Sequence, residues 1–390
     1  MTIRQQKQIS ILGVTGSIGR QSCDIIAAYP DEFRLVGMSC YRSVDLAIKL
    51  ARQFQPEILV VADEAAAQKV AEALQDITIE ILVGDQGLLR LAEKNVDILV
   101  GAIVGFAGVA PVMAAVRAGQ TIALANKEAL VAAGHLIMQE AVKNNATLLP
   151  IDSEHNAVFQ CLMGQRDQDI SHITLTASGG PFRDLATADL ENVTLEQALK
   201  HPNWSMGEKV TIDSATMMNK GLELIEAAWL FNKKSSALEA VIHPQSLVHA
   251  LVSFVDGSVL AHLGPTDMTV PIAHALAYPV RLPALAKPLD ITQLGQLDFR
   301  PVDETHFRCF ALARQVIDAD HSAAVVLNAA NEVAVDGFLS KKMGFTDIAK
   351  LVEAALNAHF DSDVSSIDAI VHLDHDVRQW ALNKRDALAK

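Results

Sequence analysis

The stretch Ile9-Ser10-Ile11-Leu12-Gly13-Val14-Thr15-Gly16-Ser17-Ile18-Gly19 decides the fold. A short strand-like run, Ile9–Leu12, enters a glycine-rich turn, and a helical pattern follows over Ser17–Tyr29. Glycines let a backbone approach a pyrophosphate. A helix N-terminus adds free N–H groups and a favourable dipole. The spacing is GxxGxxG, not the GxGxxG of the usual dinucleotide fingerprint. The competing reading is a glycine turn chosen only for tight packing. Placement at a first strand–helix junction favours the nucleotide.

The chain around this turn alternates regularly. Phe33–Met38, Ile58–Val61, Ile79–Val83, Ile98–Val100, Ile122–Ala125 and Thr147–Leu149 read as strands. Helical segments such as Val44–Gln53 and Glu64–Leu74 lie between them. That rhythm implies a mostly parallel sheet covered on both faces. From about Ile151 it changes. Ile173–Ala177 ends in Ser178-Gly179-Gly180-Pro181, Leu222–Phe231 is helical, and Val248–Phe254 and Ser258–Leu263 flank the hairpin signal Asp256-Gly257. Pro279, Pro283, Pro288 and Pro301 punctuate a linker, and Phe307–Ile317, Ala323–Leu339, Thr346–His359 and Ile367–Ala389 read as four consecutive helices. The expected fold class is α/β. It would comprise a Rossmann-like parallel-sheet domain that suits a nucleotide (1–151) and a mixed α+β domain (152–277). A linker (278–303) and a C-terminal helical bundle (304–390) follow.

Composition narrows the function. The chain has 390 residues, half of them hydrophobic and a fifth charged, enough for a large core. A net charge of −14 argues against a nucleic-acid partner, which needs a positive footprint. It leaves room for a small phosphorylated ligand held by a few local cations. Cys23, Cys40, Cys161 and Cys309 form no CxxC pair, so neither a disulfide framework nor a zinc site is indicated. A reducing, cytoplasmic setting fits, and the first residues lack an apolar signal core. Residues 98–116 are 19 uncharged residues, near the length of a membrane span. Gly101, Gly105, Gly108 and Pro111 interrupt them, so they read as a buried strand, a glycine loop and a helix opening near Pro111. No membrane partner is expected.

The second strand ends in Cys40-Tyr41-Arg42-Ser43, with no acid to hold ribose hydroxyls. Arg42 stands where a 2′-phosphate would sit, which favours NADP; a solvated surface arginine is an equal alternative. Pro150-Ile151-Asp152-Ser153-Glu154-His155-Asn156 carries two carboxylates one residue apart after a strand-like run. If that run is a strand, side chains alternate, so Asp152 and Glu154 point to one side and make half of a Mg²⁺ or Mn²⁺ site. A strand end running into a polar loop is the plainer alternative. Lys127, in Ala125-Asn126-Lys127-Glu128, could donate to a substrate oxygen, or simply start a helix. His201-Pro202-Asn203-Trp204-Ser205-Met206-Gly207 reads as a lid that excludes water, or as a loop anchored by its tryptophan. In Asp213 to Glu223, the residues Asn219, Lys220 and Glu223 share a helix face. Hydroxyl, amide and cation suit a phosphate, and Glu223 offers a third carboxylate; an ordinary amphipathic helix is the alternative. Together these parts fit metal-assisted chemistry on a phosphorylated sugar or ketone with a hydride step.

With these motifs the chain resembles the 1-deoxy-D-xylulose 5-phosphate reductoisomerases. The stretches that carry the resemblance are Thr15–Gly19, Ala125–Glu128, Asp152–Asn156, Ser178-Gly179-Gly180-Pro181-Phe182, His201–Gly207, Asp213–Glu223, His243-Pro244-Gln245-Ser246 and Asn328-Ala329-Ala330-Asn331-Glu332. They run from residue 15 to beyond 330. The resemblance implies that Asp152, Glu154 and Glu223 hold Mg²⁺ or Mn²⁺, with Ser153 and Lys127 on the substrate oxygens beside it. It implies that Ser178, Ser214, Asn219 and Lys220 bind the phosphate with His201 near the substrate, and that Trp204 and Met206 ride on the lid. Thr15, Gly16, Ser17, Ile18, Arg42, Ser43, Asn126, Glu128 and Gly207 would contact NADPH. Tyr41 and Ser43 flank Arg42 where many members carry glycine and asparagine. The implied reaction rearranges a phosphorylated deoxy-ketose to a branched aldehyde. NADPH then reduces it to 2-C-methyl-D-erythritol 4-phosphate, for isoprenoid precursors, in a homodimer. Two alternatives stand beside it. An NADP-dependent sugar-phosphate dehydrogenase would not need Glu223 at a metal, and a non-catalytic NADP sensor could lose the carboxylates.

Overall fold

The computed structural model describes residues 6–204, 206–360 and 363–388; Ser205 of the expected lid and Ala389 of the last expected helix lie outside them. The chain forms two compact units. One comprises the residues up to Asn126 with 137–156 and 267–287; the other comprises 127–136, 157–266 and 288–390.

The first unit is built on seven parallel strands: β1 (Lys7–Leu12), β2 (Phe33–Ser39), β3 (Ile58–Val61), β4 (Glu80–Val83), β5 (Ile98–Gly101), β6 (Thr121–Leu124) and β7 (Thr147–Pro150). They lie in the order β4-β3-β2-β1-β5-β6-β7. β1, β2, β3, β5 and β6 are almost wholly buried, which is why they read as continuous apolar runs rather than alternating ones. Helices α1 (Ser17–Ala28), α2 (Val44–Phe54), α3 (Glu64–Ala73), α4 (Gly84–Glu93) and α5 (Val109–Arg117) cross between strands. Strand order reverses between β1 and β5, the place where open α/β sheets bind ligands. The stretch 98–116 is β5, a loop and α5. Among the described residues no helix is long and apolar enough to cross a membrane.

Two features depart from expectation. The strand stops at Pro150. Asp152 sits in a bend, and helix α7 (Ser153–Leu162) begins at once, so Asp152 and Glu154 do not alternate along a strand. The backbone N–H of Asn156 donates to the carbonyl of Asp152, which makes Asp152 the cap of α7 and puts Glu154 in its first turn. The second departure concerns residues 267–287, which the sequence reading divided between catalytic domain and linker. They belong to the first unit. Helix α11 (Thr269–Ala277) packs on α1, β6 and β7. The Lys7 ammonium donates to the carbonyls of Leu276, Ala277 and Tyr278, a cation at a helix C-terminus.

The second unit has a mixed sheet of β8 (Ile170–Ala177), β9 (Leu238–Ile242), β10 (Val248–Phe254), β11 (Val259–Leu263) and β12 (Arg300–Pro301), ordered β11-β10-β8-β9-β12. The expected hairpin is β10–β11. The expected linker contains β12, which pairs with β9. Helix α6 (Lys127–Asn144) leaves helical geometry at Ala133, and its first ten residues, 127–136, belong to this unit. The short α8 (Leu195–Ala198), then α9 (Glu208–Ala215) and α10 (Met218–Leu230), follow β8. A C-terminal helical region of α12 (Arg308–Val316), α13 (His321–Leu339), α14 (Asp347–Leu356) and α15 (Ile367–Leu388) closes the unit, α13 packing on both α14 and α15.

The turn between β1 and α1 has no room for side chains. A Cβ on Gly13 (φ +85°) would stand 2.8 Å from the carbonyl oxygen of Ala102, and one on Gly19 would stand 2.4 Å from that of Gly13. Gly19→Ala is therefore expected to destabilise the fold by about 1–3 kcal/mol, read as a lower denaturant midpoint. An unchanged midpoint would show that the turn relaxes freely.

Candidate active site

The nucleotide half of the site is built in the first unit. Val14 donates to the Ser39 carbonyl at 2.8 Å, and Gly13 donates to the Ser39 hydroxyl at 2.9 Å, so the end of β2 fixes the glycine turn. Gly16 caps α1 in an extended conformation, without a side-chain capping bond. The first turn of α1 thus faces outward at the carboxyl edge of the sheet. Thr15, Ser17 and Ile18 are part-exposed beside it. Tyr41, Arg42 and Ser43 are all exposed past the end of β2, with the guanidinium carbon 5.9 Å from the centre of the Tyr41 ring. Asp45, three residues after Arg42, is paired to Lys69 at 2.7 Å. The Asn126 amide donates to the carbonyls of Ile103 (2.7 Å) and Gly105 (2.9 Å), which makes it a staple for the loop after β5.

Asp152 and Glu154 bring carboxylate oxygens within 4.8 Å of one another at the start of α7. Glu154 accepts from the Ser153 hydroxyl, and His155 Nδ1 lies 3.9 Å from Asp152. Clustered oxygen donors are what a hard divalent cation takes, and unlike thiols they do not select a soft one.

The second unit gathers two further groups. Glu223 on α10 is 1% exposed and meets cations from two directions. The Lys127 ammonium is 2.9 Å from Glu223 Oε1 and donates to Asn219 Oδ1 at 2.7 Å. Lys220 and Asn219 also donate to the Glu223 carboxylate. Asn219, Lys220 and Glu223 do share one face of α10, as their spacing suggests.

The other group is two hydroxyls on one imidazole. His201 Nε2 is 3.0 Å from the Ser178 hydroxyl and 3.1 Å from that of Ser214. The backbone N–H groups of Asn203 (3.2 Å) and Trp204 (2.9 Å) donate to His201 Nδ1. Nδ1 must therefore hold a lone pair, and the neutral ring carries its proton on Nε2, facing the hydroxyls. Burial, with Arg183 nearby, lowers the His201 pKa to about 4. Arg183 donates to the Ser178 carbonyl at 3.0 Å. Two serine hydroxyls, a neutral imidazole and a guanidinium form a polar cradle of the kind a phosphate occupies. Asn203 is anchored at 2.7 Å to both the Pro244 carbonyl and the Ser246 hydroxyl; Trp204 is part-buried, its ring centre 6.2 Å from that of His249. Met206 is part-buried and Gly207 exposed, capping α9.

Glu128 is the second residue of α6. It is buried, and it accepts from Lys209 at 2.7 Å; Lys209 also pairs with Asp213 at 2.8 Å. Sequence reasoning missed Arg183, Asn203, Ser246 and Lys209. Asn203 and Ser246 lay inside quoted motifs, whereas Arg183 and Lys209 had no distinguishing pattern.

A glycine-turn nucleotide site on a doubly wound sheet, joined in one chain to a unit with a polar cradle and buried acids, defines an enzyme of the nucleotide-dependent oxidoreductase class. Three family models match in sequence. The 1-deoxy-D-xylulose 5-phosphate reductoisomerase model covers residues 9–134, its C-terminal domain model 148–231, and the DXP reductoisomerase C-terminal domain model 263–380. The 1-deoxy-D-xylulose 5-phosphate reductoisomerase of Ectopseudomonas mendocina (strain ymp) is 49% identical over 383 residues, 96% of this chain and 97% of the relative. That of Trichlorobacter lovleyi is 48% identical over 94% of this chain and 95% of the relative. A crystal structure of DOX-P reductoisomerase in complex with NADPH, fosmidomycin and magnesium superposes with a TM-score of 0.93 at 43% identity, covering 98% of this chain and 99% of that one. The Zymomonas mobilis enzyme in complex with NADPH gives 0.92 at 40% identity, over 98% and 100%. The chain belongs to the 1-deoxy-D-xylulose 5-phosphate reductoisomerase family.

The depressed histidines set a pH dependence. Burial also lowers the His249 pKa to about 4, with His262 nearby. As pH falls below about 6.5 the unfolded chain takes up these protons before the folded one does. Stability contributed by the neutral rings is present above that pH, is lost between about 6.5 and 4, and levels off below. Denaturant midpoints should fall across this window, and less steeply in His201→Gln. A flat profile would place the two rings in contact with water.

Proposed function

We infer that the chain converts 1-deoxy-D-xylulose 5-phosphate to 2-C-methyl-D-erythritol 4-phosphate by intramolecular rearrangement and NADPH-dependent reduction, with a divalent cation. The observation that carries this reading is family membership over nearly the whole chain with every required acid and ammonium retained. Asp152, Glu154, Glu223, Lys127 and Lys220 all stand within the family's motifs. A simple sugar-phosphate dehydrogenase or a non-catalytic sensor gives no reason to keep that set.

The proposed roles follow the chemistry of each group. Asp152, Glu154 and Glu223 hold Mg²⁺ or Mn²⁺; three carboxylates suit a hard cation. The cation, when bound, polarises the ketone and hydroxyl oxygens of the substrate. Lys127 and the Ser153 hydroxyl donate to those oxygens, and the Lys127 ammonium offsets charge that builds there. Ser178, Ser214, Asn219 and Lys220 take the phosphate, and His201 Nε2–H, neutral at physiological pH, donates beside them. Trp204 and Met206 cover the substrate and exclude water that would compete during rearrangement. The turn Thr15, Gly16, Ser17, Ile18 cradles the pyrophosphate, and Arg42 with Ser43 meets the 2′-phosphate. Asn126, Glu128 and Gly207 contact the cofactor, and Asn126 also fixes the loop after β5. We place the protein in the cytoplasm as a homodimer of isoprenoid precursor synthesis.

Three outcomes test this. With Mn²⁺, the protein should oxidise NADPH only when 1-deoxyxylulose 5-phosphate is present, and EDTA should stop it; turnover of simple aldehydes alone, or in EDTA, contradicts the reading. Glu223→Gln should lower kcat by roughly a hundredfold or more while leaving NADPH affinity nearly unchanged. Arg42→Gln should raise the KM for NADPH by about tenfold or more and leave that for NADH unaltered, the loss of one charge-assisted phosphate contact.

A further inference from the structure

Lys209 stands two residues past the lid, in a segment with no sequence motif of its own. It is largely buried, with 19% of its side chain exposed, and it meets two carboxylates that are more buried still. Its ammonium is 2.7 Å from Glu128 Oε1 and 2.8 Å from Asp213 Oδ2. Burial works against its charge, yet Asp213, Glu128 and Glu332 together hold its pKa above the ordinary lysine range. Burial is the largest single influence on Glu128 and raises its pKa, but Lys209, a backbone N–H and Lys127 together bring it below the ordinary carboxylate value. For Asp213 burial outweighs Lys209 and the pKa rises. Asn331 on α13 donates to the second oxygen of Asp213 at 2.8 Å.

The chain positions of the partners are what give this triad a role. Glu128 follows Lys127, the ammonium on Glu223. Asp213 precedes Ser214, one of the hydroxyls on His201. Lys209 therefore ties the residue beside the reacting end of the site to the residue beside its phosphate end, and it does so from the turn of α9 next to the lid. Buried charge triads are weak sources of stability, because well-packed apolar groups of the same shape often do as well. Retaining one here needs another reason. Two carboxylates bonded to one ammonium are held at a fixed spacing, which a packed apolar contact sets less strictly.

We propose that Lys209 is a positioning residue that sets the spacing between the phosphate cradle and the Lys127 ammonium, so that a substrate held by its phosphate presents its ketone in reacting geometry. This rests on the function proposed above. A misplacement of about 1 Å costs on the order of a hundredfold in rate while leaving binding groups intact.

The experiment compares wild type, Lys209→Met, Lys209→Arg and the neutral triple variant Glu128→Gln/Lys209→Met/Asp213→Asn. Steady-state turnover, thermal midpoint and the dissociation constants of inorganic phosphate and NADPH are measured for each. Lys209→Met should lose about a hundredfold in kcat, with both dissociation constants within about twofold of wild type. Lys209→Arg should recover at least a third of wild-type kcat. The triple variant removes the uncompensated charge and should recover the thermal midpoint but not kcat. If the triple variant recovers kcat as well, the triad is merely structural and the proposal is overturned. It is also overturned if Lys209→Met turns over within about threefold of wild type, or loses phosphate affinity in step with kcat. Absence of turnover in the wild type would instead overturn the proposed function.

Discussion

The buried carboxylate of Glu223 constrains its unit. A carboxylate taken out of water is costly unless cations and donors surround it. Here Lys127 comes from the first turn of α6, and Lys220 and Asn219 come from the first turn of α10 itself. The start of α6 and the face of α10 must therefore stay in register. The neighbouring Gly221 shows how tightly the rest follows: a Cβ there would stand 2.4 Å from Ala313 Cβ, so α10 lies directly on α12. The helical region after the mixed sheet thus forms the back wall of the charged cluster, and Asn331 of α13 continues that wall to Asp213.

A different constraint governs the nucleotide unit. Strands buried on both faces leave only their carboxyl ends free for chemistry, and the reversal between β1 and β5 opens a crevice there. Gly13 and Gly19 let the turn and α1 approach backbone closely, while Ser39 and Asn126 hold the flanking loops. Rigid framing of this kind lets polar groups meet a pyrophosphate without first paying an ordering cost.

Much of this was legible in the residues. Five of the seven strands of the first sheet, β1, β2, β3, β5 and β6, were readable because their burial makes them short apolar runs broken by turn residues, and the edge strands β4 and β7 were readable from the same alternation with helices. The hairpin was readable from Asp256-Gly257, and the face of α10 from the spacing of Asn219, Lys220 and Glu223. The arrangement of Asp152 and Glu154 was not read correctly, although a signal existed. An aspartate at a cap position followed by a glutamate in the first turn marks a helix start. Residues 267–287 were divided between two segments because Pro279 and Pro283 read as linker punctuation, and the apolar run that forms α11 declares burial without saying which sheet covers it. Lys209 gave no signal at all. Beside Glu208 it reads as a solvated charge, and only the folding together of α6, α9 and α13 makes it a buried bridge.

One hard cation held by acids distant in sequence is the centre of the proposed reaction. Manganese binding, followed by electron paramagnetic resonance of free Mn²⁺, tests this without depending on turnover. The account predicts that Asp152→Asn, Glu154→Gln and Glu223→Gln each weaken binding by about tenfold or more. Unchanged Mn²⁺ affinity in Glu223→Gln would contradict it.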